Sequence, residues 1–315
     1  MFKSLPPGAK GLLFACGAAL IWTFFILLSR LATRTAFNPF DLAFLRFSAA
    51  ALTVLIVMAL RPRAPDAAPY FAGITPLRAL ALAVFGGAGF TGLAYTGFVF
   101  APAAHASVLM PGTLPLSAAL IAWGVLGDPI TRRKGLGLVA ILGGVALVGA
   151  HALADTPAAG NEYTWIGDLA FPLASVSWAL FTVYTRKWKV GAVDATILVC
   201  LICFVFYIPA YLLWAPKKLM LVPTATILVT AFFQGTIALV FSMWVFTRAV
   251  AALGPTKTTM VTSVVPALSA VLAVPLLGEP LSLLLVLGVA AVTAGMLIGI
   301  TGAPLRPAPL PASAS

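Results

Sequence analysis

Ten long apolar runs separated by short polar breaks organise the chain. They cover residues 11–33, 38–60, 78–101, 104–126, 135–151, 164–186, 194–214, 224–250, 255–277 and 281–301. A helix rises about 1.5 Å per residue, so about 20 apolar residues cross the roughly 30 Å hydrocarbon layer of a bilayer. Each run reaches that length with some tilt, except the fifth, which is marginal at about 17 residues. The pattern predicts an all-α polytopic membrane protein with ten transmembrane helices. The breaks are rich in Pro, Gly and charge, and residues 302–315, with Pro304, Pro307, Pro309 and Pro311, are expected to form a disordered tail.

Composition agrees and narrows the class. Of 315 residues, 62% are hydrophobic and 9% charged, with a mean hydropathy of +1.08. Soluble domains are about 45–50% apolar and about 25% charged. A soluble enzyme, a disordered chain, a disulfide-stapled module and a nucleic-acid binder are therefore excluded. The bilayer is the expected environment, and the formal charge of +11 does not imply a nucleic-acid partner. Lys and Arg cluster between apolar runs instead, as at Arg61/Arg63, Arg132/Arg133/Lys134 and Arg186/Lys187/Lys189. With the N-terminus inside, only Arg30, Arg34, Arg46, Lys217 and Lys218 of the 19 basic residues fall elsewhere than the cytoplasmic side. The positive-inside rule then predicts both termini in the cytoplasm. The loop at 152–163, with Asp155 and Glu162 and no Lys or Arg, is expected outside. Only four apolar residues separate Gly11 from Cys16, too few for a cleavable signal, so the first helix is expected to be retained.

The two halves match. A shift of 156 places Gly11 on Gly167, Trp22 on Trp178, Phe25 on Phe181 and Arg30 on Arg186. A shift of 151 places Pro115 on Pro266, Gly137 and Gly144 on Gly288 and Gly295, and Leu126-Gly127-Asp128-Pro129 on Leu277-Gly278-Glu279-Pro280. One gap reconciles the two offsets. After a cytoplasmic segment at 1–10, the first repeat is read as 11–151 and the second as 164–301. Five spans per repeat return the chain on the opposite face, so the second copy inserts upside down. A 5+5 inverted repeat allows one central site to be exposed to either side in turn. It points to an alternating-access transporter rather than a channel, scaffold or enzyme.

Through the paired Leu-Gly-acid-Pro helix ends, the pattern around Trp22 and the Leu45-Arg46-Phe47 segment, the chain resembles the drug/metabolite transporter superfamily, specifically its EamA-type ten-helix members. The resemblance spans about 11–301. It implies a central cavity open to one side at a time and export of amino acids or other small metabolites across the bacterial inner membrane. Efflux of drugs or other small organic compounds is the alternative. Asp128 stands where that family often has Glu.

Several positions are candidates for contact with a small-molecule substrate. Pro111 and Pro115 in the fourth span, and Pro266 after Thr258, Thr259, Thr262 and Ser263 in the ninth, predict interrupted helices with exposed carbonyls at matching places. A packing kink is the plain alternative. Arg46, inside the second span, either binds a substrate carboxylate, pairs with Asp41 or snorkels to the interface; a central Arg costs about 2.5–3.5 kcal/mol on insertion scales. Lys257 reads as a snorkelling anchor at the cytoplasmic mouth or as a contact for an anionic group. His105 is a candidate for titration or substrate hydrogen bonding, and Gln234 for interhelical bonding or substrate contact. Trp22, Tyr95, Trp178 and Trp244 are candidate cavity walls, or else packed or lipid-facing aromatics.

Gly137, Gly144, Gly295 and Gly299 read as close-packing positions, serving the scaffold or a homodimer. Cys16, Cys200 and Cys203 read as lipid-embedded small residues, not as a redox or metal pair. No cofactor or metal is expected. No catalytic motif accompanies His105 and His151, so no enzymatic activity is expected. All eight acids fall in loops or near span ends, which disfavours a cation pump built on a mid-membrane carboxylate and favours a zwitterionic or neutral metabolite.

Overall fold

The computed structural model describes residues 6–60, 73–154 and 163–301, and every regular element among them is helical. In chain order these are α1 (Pro7–Thr35), α2 (Pro39–Leu60), α3 (Pro76–Phe100), α4 (Ala103–Leu126) and α5 (Arg132–Ala154). They are followed by α6 (Thr164–Lys187), α7 (Ala192–Trp214), α8 (Thr224–Leu253), α9 in two pieces (Pro255–Thr262 and Val265–Leu277) and α10 (Leu283–Thr301). Eight of them are long and apolar enough to cross a membrane; α10 offers the shorter apolar stretch Leu283–Gly299, and α5 opens on three basic residues. The inter-repeat loop and the C-terminal tail expected from sequence lie largely outside the described residues.

Leu-Gly-acid-Pro proves to be a helix stop used twice. Gly127 and Gly278 adopt left-handed φ values of 70° and 66°. The amides of Asp128 and Glu279 then turn back to the carbonyls of Ala122 and Ala273, at 3.3 and 3.4 Å. This six-to-one closure is the Schellman arrangement, and the following proline prevents further helix. Each acid is thereby fixed at the rim of the bundle.

The third helix of each repeat contains a π-helical stretch, Val84–Gly89 in α3 and Phe232–Phe241 in α8. Glycines in these stretches receive large neighbours. A Cβ on Gly86 would lie 2.5 Å from the Phe181 ring, and one on Gly235 would lie 2.6 Å from the backbone of Ala50 and Arg46. Widened turns of this kind recur at functional sites.

The fourth helices differ from expectation. Despite Pro111 and Pro115, α4 is continuous from Ala103 to Leu126. Thr113 Oγ1 donates to Leu109 O at 2.6 Å and Ser175 Oγ of α6 to Met110 O at 2.5 Å. The counterpart α9 does break, between Thr262 and Val265, with Pro266 starting its second piece.

α5 and α10 form the most extensive helix pair. A Cβ on Gly137 would fall 2.5 Å from Gly295 O, and one on Gly144 would fall 2.7 Å from Gly288 O. The glycine faces read as scaffold or homodimer surfaces thus meet each other inside one chain. Lipid tails are as apolar as leucine, so such close backbone approach, not hydrophobic burial, holds the pair together. Elsewhere Tyr95, Phe47, Phe98 and Phe171 fill the core, while Leu52, Val205, Phe206 and Leu213 face outward.

The chain is an all-α membrane protein of two inverted repeats. The inversion shows in the contacts: the N-terminal end of α6 lies at the C-terminal end of α3, where a Cβ on Gly167 would meet Ala101 at 2.5 Å. Arg30 of α1 reaches the acid after α9, and Arg186 of α6 reaches the acid after α4. Matched residues of the two repeats exchange partners, as a twofold relation requires.

Candidate functional site

At one end of the bundle, Arg30 and Glu279 build a tight cluster. Arg30 Nε donates to Glu279 Oε1 at 3.2 Å, and its Nη1 donates to the carbonyls of Phe98 at 2.6 Å and Val99 at 3.1 Å. Glu279 Oε2 accepts the amide of Ala104 at 3.3 Å, in the first turn of α4. Arg34 adds a bond to Leu277 O and approaches Glu279 Oε1 to 3.9 Å. One carboxylate therefore ties together α1, α4 and the end of α9, and one guanidinium adds α3. The side chains of Arg30 and Glu279 are only 13% and 9% exposed.

The opposite end carries the matched pair without the surrounding closure. Arg186 donates from both Nη atoms to Asp128, the Nη2–Oδ1 bond measuring 3.1 Å. These side chains are 59% and 28% exposed. Beside them opens a cavity of about 390 Å3 between α4, α5, α6, α9 and α10, lined by Pro115, Asp128, Lys134, Thr182, Arg186 and Thr259 among others. The position matched to Ala104 is Pro255, which has no N–H to offer a carboxylate.

Between the ends, and nearer the Glu279 end, four helices meet in a buried polar network. Arg46 of α2 donates from Nη1 to Gln234 O at 3.2 Å, with its guanidinium 5.0 Å over the Phe25 ring. Tyr95 OH donates to Gln234 Oε1 at 3.1 Å, and Gln234 Nε2 donates to Ser29 Oγ at 2.9 Å. Ser29, Arg46, Tyr95 and Gln234 are all at most 4% exposed. Arg46 Nε is buried with no hydrogen-bond partner. The network thus presents a cation with spare donor capacity, held by aromatic and amide groups.

The sequence-predicted residues fall into three groups. Arg46, Tyr95 and Gln234 come together as described, and Asp41 is not the partner of Arg46. Asp41 instead accepts from Tyr211 OH at 2.6 Å and from the amides of Lys218 and Asn38. His105 pairs with Asp168, Nδ1 to Oδ1 at 2.8 Å. The remaining candidates stand apart. Trp22 packs on Phe246, Trp178 on Phe90 and Phe181, and Trp244 is 45% exposed against Phe14, Phe241 and Arg248. Thr258 and Thr262 bond to carbonyls of their own helix, and Pro111 sits within α4. Of the positions singled out from sequence, Pro115 and Thr259 line the 390 Å3 cavity, whereas Arg46, Tyr95, His105, Gln234, Pro111, Thr258, Thr262 and the three tryptophans do not.

A model of the EamA-like transporter family matches residues 9–150 and 165–301, one copy per repeat. The chain belongs to the EamA-like transporter family. No curated protein sequence matches. A solved structure described only as "Crystal structure of protein" is similar at 20% identity, covering 91% of this chain and 94% of that one with a TM-score of 0.59, which extends the likeness to the fold. As a member of this family the protein is a membrane transporter.

Within that EamA-type chain, one reading of cysteines needs correction. Cys200 and Cys203 do not face lipid. Both are buried, with Cys203 Sγ pressed on Gly87 and donating to Ala83 O at 3.4 Å. Asp41 and Glu279 do lie near span ends, and both are buried there. Ser29 and Asp168 were missed as site residues. Ser29 looks like any small residue in an apolar run, and only the fold brings Asp168 to His105.

Proposed function

We propose that this transporter is an alternating-access carrier that exports small carboxylate-bearing metabolites, amino acids and related zwitterions best fitting the site. In this reading the Glu279 end faces outward across a bacterial inner membrane, both termini are cytoplasmic, and the conformation is closed outside and loosened inside. The observation that carries the reading is the unequal burial of two symmetry-matched ion pairs, Arg30–Glu279 sealed and Arg186–Asp128 exposed beside a cavity. Exchange of those two states by rocking the repeats is the motion that inverted repeats permit.

Arg46 is the proposed contact for the substrate carboxylate. A guanidinium offers a planar fork matched to two carboxylate oxygens, and the unpartnered Nε leaves it capacity to do so. Gln234 and Tyr95 supply neutral polar groups beside it. A buried cation at the network argues against cationic drugs as cargo.

Counterflow in sealed proteoliposomes tests the reading. Saturable exchange of labelled amino acids is expected, with loss of at least about tenfold in Arg46→Gln, the scale of one charge-assisted hydrogen bond. Unaltered exchange in a folded Arg46→Gln protein removes Arg46 from the site. A set of neutral substrates carried while carboxylates are ignored overturns the substrate class.

A further inference from the structure

We propose that the cavity of about 390 Å3 beside Asp128 is a binding slot for an anionic lipid, its phosphate held by Lys134 and Arg186 and the adjoining acyl chain laid along the apolar wall. The carrier reading needs this cavity only as looseness at one end of the bundle and gives it no ligand. Binding in the slot goes beyond that reading and does not depend on which way the bundle faces.

The charges of the slot are out of balance. Its lining carries two cations, Lys134 and Arg186, against one carboxylate, Asp128. Arg186 engages that carboxylate through both Nη atoms. Lys134 is half-buried and forms no ion pair among the described residues. A guanidinium carries five N–H groups, so the two bonds to Asp128 leave three on Arg186 without a partner among the described residues. A partly buried ammonium lacking a counter-ion, next to a guanidinium with donors to spare, calls for an anion, and phosphate oxygens match both groups.

The distribution of the lining along the helices says what kind of anion. Every charge lies at the rim: Asp128 just past the stop of α4, Lys134 in the first turn of α5 and Arg186 in the last turn of α6. Leu138 and Ile141 follow Lys134 on one face of α5. At about 1.5 Å per residue, Ile141 stands about 10 Å further from the rim. Ala118, Ala122, Val183 and Met296 continue the apolar wall, and the hydroxyl of Thr182 is already given to Ala179 O at 2.9 Å. A small polar solute would find charged partners at the rim alone. A molecule with one charged head and an apolar body suits the slot along its whole depth. α5 leans on α10 and hardly touches α6, so the seam between α5 and α6 connects the slot with the surrounding bilayer. Basic pockets between spans near a membrane surface take lipid head groups on these grounds. The other repeat has no equivalent, because the offset of 151 puts Leu285, a buried residue, at the place of Lys134.

Native mass spectrometry of the full chain released from detergent tests the slot without any transport, so its failure is separable from failure of the carrier reading. Phosphatidylglycerol is expected to be retained at least about tenfold more tightly than phosphatidylcholine of the same chains, the scale of one charge-assisted contact. Lys134→Gln breaks no ion pair and is expected to weaken that retention about tenfold. Arg133→Gln removes an equal charge from the same turn, at an exposed residue outside the lining, and is expected to leave retention nearly unchanged. Ala118→Leu narrows the slot below the rim and is expected to weaken retention without altering a charge. Glycerol phosphate, a head without chains, is expected to compete only at a concentration at least about a hundredfold higher, since it lacks the buried methylenes. Equal retention of the two lipids, or equal losses in Lys134→Gln and Arg133→Gln, overturns the site and leaves a general attraction to a basic surface. Competition by glycerol phosphate or by an amino acid at the lipid's own concentration, or retention unmoved by Ala118→Leu, overturns the lipid assignment and makes the slot a site for a water-soluble anion.

Discussion

Arg30 and Glu279, 249 positions apart in sequence, lie 3.2 Å apart across the interface between the two repeats. Their repeat-matched counterparts, Arg186 and Asp128, meet in the same way at the other end of the bundle. The two pairs are chemically alike and differ in what surrounds them. Glu279 also accepts the amide of Ala104, and Arg30 also donates to the carbonyls of Phe98 and Val99. Around Asp128 there is an open cavity.

Removing one partner of a buried pair leaves the other uncompensated, whereas an exposed pair contributes little. Glu279→Gln is expected to cost about 3–5 kcal/mol, and Asp128→Asn no more than about 1 kcal/mol. Thermal unfolding in one detergent compares them directly. Equal losses would contradict the unequal burial on which the sealed-end assignment rests.

Gln234 joins three helices by its side chain and backbone. Gln234→Leu orphans Tyr95 OH and deprives Ser29 Oγ of its donor, at about 1–3 kcal/mol for each buried group left unpaired. In a double-mutant cycle with Tyr95→Phe, the double variant is expected to lose less than the sum of the single losses. Strict additivity would deny the network.

Glycine at 235 is required by backbone and not by flexibility. An added Cβ would lie 2.6 Å from Ala50 N and Arg46 O, neither of which is a movable side-chain tip. Gly235→Ala is expected to destabilise by about 1–3 kcal/mol as overpacking and to disturb Arg46. Gly92→Ala, with nothing within 4 Å, is expected to gain about 0.5–1 kcal/mol from the helix interior. Unfolding midpoints in detergent, with counterflow as a second readout, check both.

The spans, the repeat and the helix stops were legible because each rests on a local rule. Apolar length set the helices, and a left-handed glycine followed by an acid and a proline set the ends of α4 and α9. The same acid-bearing stops, aligned with Arg30 and Arg186, contained the swapped ion pairs in outline. Three features were not legible. The π-helical turns in α3 and α8 depend on neighbours such as Phe181 and Ala50 that no window along the chain includes. The uninterrupted course of α4 runs against the local rule that a proline in a helix interior breaks it. The contact of Asp168 with His105 joins positions 63 apart, a pairing that only the fold brings about. Trp22 and Trp178, drawn from a repeat match, prove to be packing partners of Phe246 and Phe90, since symmetry of sequence does not decide which wall a ring faces.

Position 255 is where the duplication stops being even-handed. Ala104 holds an amide hydrogen that fastens Glu279, and a proline at the matched position 255 has none to give. In the carrier reading proposed above, that one main-chain hydrogen is a difference between the two halves that only replacement of the proline itself removes.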